Sequence, residues 1–543
     1  MNIGIMGNAL NPKISAQQAT GYSIAVDTLI NSFFLYSTKN SFTCLAQPGK
    51  YHWDRVHYLR SLLPKERQKE ICIVDENELL FQGMESLMDL DILHSLRGDV
   101  LSTLALRESL GRPIPMTFTL HGISEQHLLL DTFLPMLIFS FRPYDAILCT
   151  SEAVRCTVQR ILNRLKTTPA LASLNRKSPL IRLEKVPLGV NVDYFRPMNK
   201  EKARQNLHLP QNAFIILWFG RFSCDHKADL YPLFHLFRRL LNRFPQKQLF
   251  LLLAGCSSSD LKQQEFLEEV ERCKITPYVR LILNNEIHDR AELYNACDVF
   301  TSPVDNIQET FGLTPVEAMA CGIPQVVSDW DGYRDTVLDG QTGFLISTVW
   351  TNCMDDLKER DFLPLDGAQR SELYASLVSR SVAVDLDAFE EKICIMIKQP
   401  ELRHRMSINS RIRAVEHFSL QSTVAQTEAI WENLSKLSRE ESSYEKMNIV
   451  DLCNDFQGYP TQMVSDDCSF AVTEDGLAMK NLPIRHRHIP TSEDALPPLI
   501  LKLYQQGQHY SFSDLIFRFP KYTPSQIKRS VMYLYKCGFI RRI

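Results

Sequence analysis

Residues 302–346 read SPVDNIQETFGLTPVEAMACGIPQVVSDWDGYRDTVLDGQTGFLI, and this stretch decides how the rest of the chain is read. Two carboxylates, Glu309 and Glu317, stand eight residues apart in it. Between them FGLTPV predicts a tight turn at Gly312 running into a helix, with Thr314 as N-cap and Pro315 at the first helical position. Glu317 then falls in the first helical turn, near its positive end. Gly322 and Pro324 predict the helix stop and the handover to an apolar strand, Gln325 to Ser328. A glycine turn that feeds amides into a helix N-terminus is a place for an anion. A carboxylate one or two turns away, as a double acceptor, suits ribose or sugar hydroxyls. Each feature alone also fits an ordinary capped helix between two strands.

Upstream residues shift the balance. FIILWFGRF predicts a near-continuous buried strand ending in Gly220-Arg221, followed by the loop SCDHKAD. Arg221 and Lys227 therefore lie beyond the carboxyl end of a strand, as the 309–317 turn does. In one parallel sheet such ends converge on one crevice. Two fixed cations with glycine-turn amides suit a diphosphate whose charge grows as its bond to a sugar breaks. QLFLLLAG, VRLILN and NACDVFTSP continue the strand and helix alternation, which predicts a doubly wound unit over 188–437.

Residues 1–187 alternate in the same way, through IGIMG, FTCLAQ, ICIVD, DILHSL, MTFTLHG and DAILCTS. The fold class is α/β, with two Rossmann-like domains joined by the Pro- and Gly-punctuated VPLGVNVDYFRP. His94, His121 and Ser151 sit at predicted strand ends and should face one cleft. Gly122 lets the chain turn sharply after His121 and leaves its ring toward that cleft. QQATGY (residues 17–22) is a phosphate-loop candidate around Gly21, although it lacks a full GxGxxG, and a plain turn fits as well.

After a charged linker from about Ser438, residues 447–543 predict a short hairpin turning at Glu474-Asp475-Gly476, then three helices and a final strand. Thr523 should cap the third helix, with Pro524 at its first position. That is a winged-helix layout. Between Cys468 and Ile543 there are eleven Lys and Arg against five Asp and Glu. Such a basic module can bind DNA, bind an acidic peptide, or only pack. TPSQIKRSVMYLYK has few polar side chains suited to base edges, which argues against nucleic acid.

The chain's 543 residues suggest about three domains. A net charge of -3 excludes a nucleic-acid or membrane-surface role for the chain as a whole. The longest greasy run, FLPMLIF, is too short to span a bilayer, and MNIGIMGNAL lacks the basic and apolar regions of a signal peptide. Fourteen cysteines without a CxxC pair predict reduced thiols in a cytoplasm, with no zinc site.

GRF(x)4K, NACDVFTSP and ETFGLTPVEAMACGIPQVVSDWDGYRDTV(x)2GQTGFLI resemble the donor-binding half of the family-four retaining glycosyltransferases, which have the GT-B architecture. DILHSL, FTLHG and DAILCTSEAVR resemble that family's N-terminal half, so the likeness covers about residues 1–437. It implies that Arg221 and Lys227 hold a nucleotide diphosphate. It implies that Glu309 contacts the transferred sugar, assisted by the amides of Phe311, Gly312 and Leu313. It places Glu317 on ribose hydroxyls and His121 over the sugar. The resemblance implies a nucleotide-sugar donor, no cofactor and no metal, with anomeric configuration retained and no protein general base. An epimerase or phosphorylase of the same architecture, or a nucleotide-sugar-sensing regulator, would share these residues. Thr310 stands where the family often has proline. Arg221 and Lys227 are one residue further apart than usual, and an insertion spans about Ser347 to Val384. That insertion could shape an acceptor or oligomer surface. The 447–543 module resembles small modules that dock leader peptides of ribosomally made, modified peptides, which implies a peptide or protein acceptor.

Overall fold

The computed structural model describes residues 1–6, 21–46, 57–61, 63–75, 84–96, 98–124, 132–139, 141–168, 181–224, 227–257, 260–283, 289–353, 374–441, 444, 451–479 and 494–543. The first sheet has the order β3-β2-β1-β4-β5-β6-β7. Its strands are β1 (Asn2–Ile5), β2 (Ser41–Ala46), β3 (Ile71–Asp75), β4 (Ile92–Ser95), β5 (Met116–Leu120), β6 (Ala146–Cys149) and β7 (Arg182–Lys185). The second has the order β10-β9-β8-β11-β12-β13, from β8 (Phe214–Phe222), β9 (Leu249–Ser257), β10 (Val279–Leu283), β11 (Val299–Ser302), β12 (Gln325–Ser328) and β13 (Gly343–Ile346). All its neighbours pair in parallel. Central strands β4, β5, β6, β11 and β12 are buried at every residue. That burial is what a parallel sheet covered on both faces requires, and it explains why these strands read as continuous apolar runs. In both sheets the strand order reverses beside the first strand, β1/β4 in one and β8/β11 in the other, where such sheets open a crevice at their carboxyl ends.

The helix Leu420–Arg439, read as closing the second sheet domain, packs on the first. Val424, Thr427, Trp431, Leu434 and Ser438 recur at helical spacing and are buried. Trp431 joins the cluster of Ile3, Phe33 and Phe42, and Leu434 packs with Tyr144 and Ala146. The Trp431 indole donates to Thr117 Oγ1 at 3.1 Å. Here His94 corrects its expected place at the cleft. It is fully buried in β4, with Nδ1 2.8 Å from Thr117 Oγ1 and its ring edge-on to Trp431. Burial, with His121 nearby, pushes its pKa down to about 3, so it is a neutral core residue.

The chain divides into two compact units, one of Met1–Ile73 with Asp89–Tyr444 and one of Val74–Met88 with Glu445–Ile543. Taken by itself, the C-terminal unit holds a three-stranded antiparallel sheet with Ser469–Val472 between His509–Ser511 and Ile540–Arg542. Helices Leu496–Leu503, Phe512–Arg518 and Pro524–Lys536 close over Phe470, Ile500, Leu515, Ile527 and Leu534. Thr523 caps the third helix with a reciprocal bond from Gln526, as its sequence predicts. The hairpin expected at Glu474-Asp475-Gly476 is instead a short helix, Glu474–Met479. The reason is local: Thr473 Oγ1 accepts from the Gly476 amide at 3.1 Å, so Thr473-Glu-Asp-Gly acts as a helix start and not as a turn. The partner strand expected after the turn is replaced by His509–Ser511. The basic run RHRHIPTSE lies outside the described residues.

Candidate functional site

The chain leaves β11 and reaches Glu309 before turning into the helix Leu313–Ala320. The cap is Gly312 and not Thr314, because the turn needs φ 96° there. A Cβ on Gly312 would also sit 2.3 Å from the Tyr333 ring. Pro315 thus falls at the third helical position, where a missing N–H costs nothing. Glu317 falls in the second turn and not the first. The amides of Phe311, Gly312 and Leu313 donate to no protein acceptor among the described residues. They remain available to a ligand at the positive end of the helix.

Lys227 and Glu309 meet directly in an ion pair, their side chains only 17% and 14% exposed. Burial by itself would push the Lys227 ammonium down. Glu309 overrides it and holds the pKa above the usual lysine range, while Arg221 works against it. Arg221 has no carboxylate partner among the described residues, and it lies within β8 and not beyond it. The intervening Asp225 and His226 lie outside the described residues. Two further groups face this pair. The Tyr333 hydroxyl, bonded to Ser302 Oγ at 2.9 Å, is pushed up to about 12 by burial, with Lys227 and Glu309 acting in opposite senses. Asp331 is held well above the usual carboxylate range by burial and then by Glu309. It also adopts φ 51°, uncommon for a residue other than glycine. The next residue, Gly332, is pressed onto Phe311, where a Cβ would lie 2.4 Å from the Phe311 Cα. The Asp331 loop is therefore built against the Glu309 turn.

Glu317 is buried and held by two partners. Arg290 Nη2 donates to both its oxygens at 2.8 Å, and the Tyr294 hydroxyl donates to Oε2 at 2.5 Å. The Arg290 guanidinium lies 5.0 Å from the Phe219 ring centre and 5.8 Å from that of Phe195. Arg290, Glu317, Leu313, Gly189 and Thr28 border a cavity of about 110 Å³. Its far wall comes from helix Gly21–Tyr36, so Gly21 stands at the start of a helix facing this pocket. The loop residues 17–20 lie outside the described residues. No motif announced Arg290 or Tyr294, 27 and 23 residues from Glu317.

On the opposite side stand His121 and Ser151, at the ends of β5 and β6. The His121 carbonyl accepts from Thr310 Oγ1 at 2.7 Å, and Ser151 Oγ donates to the Thr310 carbonyl at 2.7 Å. The structure thus gathers His121, Glu309, Lys227 and the 311–313 turn at one cleft. Glu317 lies on the other side of the 313–320 helix start.

Residues 199–359 match the family described as Glycosyl transferases group 1. A D-inositol 3-phosphate glycosyltransferase of Streptosporangium roseum is 30% identical over 239 residues, 43% of this chain and 52% of that protein. Its namesake in Stackebrandtia nassauensis is 28% identical over 221 residues, 40% and 49% of the two chains. This chain therefore spans about half the length of the curated relatives it matches. Among solved structures, Anabaena HepE with UDP and glucose superposes with a TM-score of 0.51 at 15% identity, over 80% of this chain and all of that one. Sucrose-phosphate synthase of Thermosynechococcus elongatus superposes with a TM-score of 0.51 at 16% identity, over 80% and 99%. These likenesses carry the fold. The two parallel sheets thus share the GT-B arrangement of these structures, and the residues similar to the group 1 glycosyl transferase model hold both Lys227 and Glu309.

Proposed function

We propose that the protein is a glycosyltransferase that takes a sugar from a nucleotide diphosphate sugar and passes it, with retained configuration and without a metal, to an acceptor. One observation supports this above the others: Lys227 and Glu309 are paired, nearly buried, beside a helix-start turn whose amides have no protein acceptor among the described residues. A diphosphate at that turn gives Lys227 and Arg221 a second anion to serve. Glu309 is then released toward hydroxyls of the transferred sugar. As the sugar–phosphate bond breaks, charge grows on the diphosphate, and fixed cations and amides stabilise it without reorganising. The acceptor attacks from the leaving-group side and a phosphate oxygen takes its proton, so no protein base is assigned. Glu317, held by Arg290 and Tyr294, offers its remaining lone pairs to ribose hydroxyls, and His121 covers the sugar.

The C-terminal unit, whose residues 468–543 carry eleven Lys and Arg against five Asp and Glu, is assigned to acceptor recognition, with a peptide or protein as the acceptor class. Phosphorylated cyclitols, as the curated relatives' names suggest for those proteins, are the competing outcome. The fourteen free cysteines support a cytoplasmic location. Among the described residues no helix is long and apolar enough to cross a membrane.

A thermal-shift panel of UDP-, GDP- and ADP-sugars, followed by mass spectrometry of candidate peptides and inositol phosphates, tests the proposal. A sugar found on an acceptor supports transfer. A rearranged free sugar points to an epimerase or phosphorylase, and no stabilisation by any nucleotide sugar overturns the assignment. Turnover abolished by EDTA overturns metal independence.

A further inference from the structure

Buried hydrogen bonds cross the cleft at the residue next to Glu309. Thr310 Oγ1 donates to the His121 carbonyl at 2.7 Å. In return, the Thr310 carbonyl accepts from Ser151 Oγ at 2.7 Å and from Thr150 Oγ1 at 3.4 Å. Thr310 is 5% exposed, and Thr150 and Ser151 not at all. Ser151 Oγ simultaneously accepts from the Val154 amide at 3.2 Å as N-cap of the helix Glu152–Thr167, which fixes where its own proton points. Nearer solvent, the first amide of that helix, on Glu152, donates to Asp335 Oδ2 at 2.5 Å, and Lys185 Nζ lies 3.7 Å from Asp335 Oδ1. These partners are between 150 and 189 residues apart in the chain or belong to opposite sheets, so they meet only while the cleft is closed.

We propose that Thr310 is a positioning residue, a latch that ties the ends of β5 and β6 to the Glu309 turn and sets the Glu309 carboxylate only in the closed cleft. The peptide that follows Glu309 is held from both sides, through the Thr310 carbonyl and through its hydroxyl. The direction in which the Glu309 side chain leaves the backbone is therefore coupled to closure. β-Branching restricts the Thr310 rotamer, so its hydroxyl is presented to His121 with little freedom to wander. Opening the cleft breaks the set together and leaves buried acceptors unpaired, which makes partial opening unfavourable. A side chain without a donor keeps the shape but not the latch.

The kinetic consequence rests on the glycosyl-transfer proposal, while the mechanical one does not. Thr310→Val is close in shape and lacks the hydroxyl; Thr310→Ser keeps it. Hydrogen exchange by mass spectrometry would be followed in peptides covering 116–124, 146–154 and 309–313, alongside turnover of UDP-glucose or the best donor of the panel. In Thr310→Val all three peptides should exchange faster together. Turnover should fall by about a hundredfold, as expected for a misplaced reacting group. The donor KM should stay within about threefold, because the diphosphate contacts are untouched. Thr310→Ser should restore both readouts. Unchanged exchange in Thr310→Val, or equal damage in Thr310→Ser, overturns the latch. Should Thr310→Val not fold, Asp335→Ala tests the same closure from its half-buried rim and should speed exchange in the 146–154 peptide; unchanged exchange there overturns it as well. If the wild type turns over no nucleotide sugar, the exchange result still decides the latch, and the functional proposal alone fails.

Discussion

Glu309→Ala separates what the Lys227–Glu309 pair does for the fold from what it does for chemistry. Both side chains are less than a fifth exposed, so removing one partner leaves a buried charge without compensation. Breaking such a pair costs on the order of 3 kcal/mol, the low end for buried pairs, given this residual exposure. In a unit of the size of Met1–Ile73 with Asp89–Tyr444 that lowers Tm by about 3 °C. The loss comes from Lys227 being stranded, so Lys227→Met combined with Glu309→Ala should recover most of it. Activity should behave differently. Glu309→Ala should lower turnover by roughly 10² to 10³, as expected when a group acting at the developing charge is removed, and the double variant should be no better. Nucleotide binding should survive in Glu309→Ala, since Lys227 is released toward the diphosphate, and weaken in the double variant. Scanning fluorimetry with and without UDP, plus nucleotide release from the donor, compares wild type, the single variant and the double variant. A single variant that melts within about 1 °C of wild type, or a double variant that regains turnover, would refute the reasoning.

Arg290→Ala should leave Glu317 buried without its cation and cost on the order of 3 kcal/mol. It should raise the donor KM more than it lowers turnover; the opposite split would remove Glu317 from ribose binding. Asp305 should make the fold sensitive to alkali. Burial, with Asp229 nearby, raises its pKa from 3.8 to about 8. The folded state therefore keeps a proton that the unfolded state gives up. Its stabilising contribution is complete below 3.8 and is lost as pH rises to about 8. The Tm of Asp305→Asn should gain on wild type across that interval, and parallel Tm–pH curves would show that Asp305 does not titrate so. Deleting 447–543 should spare donor hydrolysis and impair acceptor use, measured side by side; equal loss of both would make the C-terminal unit structural.

Much of the frame was legible because its causes are local. Runs such as FIILWFGRF and QLFLLLAG exceed what a half-exposed strand carries, so a covered parallel sheet followed from composition and alternation alone. Gly312, Gly322 and Pro324 punctuate the chain through their own φ preferences, and Glu309 could be placed beside that turn for the same reason. The misplaced details were also local, but they were choices between near-equal options. Thr314 and Gly312 both cap helices, and only the Tyr333 ring over the turn selects glycine. Thr473-Glu-Asp-Gly can turn or start a helix, and the bond from the Gly476 amide to Thr473 Oγ1 selects the helix.

Pairing across the chain is another matter. Glu317 was read as an acceptor for ribose hydroxyls from its place near the turn, yet Arg290 and Tyr294 arrive from a neighbouring helix. Thr310 was read as a mild departure from proline, since its partners lie 159 and 189 residues away. His94 was placed at the cleft by its position at a strand end, and the helix Leu420–Arg439, distant in sequence, covers it with Trp431. Sequence by itself determined which segments form covered strands and where Gly312, Gly322 and Pro324 break the chain. Those outcomes depend on residues a few positions apart. Tertiary structure alone decided which charges neutralise one another and which hydroxyls hold the cleft shut. Hydrogen bonds and ion pairs act over a few ångströms, and only folding brings such distant residues within that range.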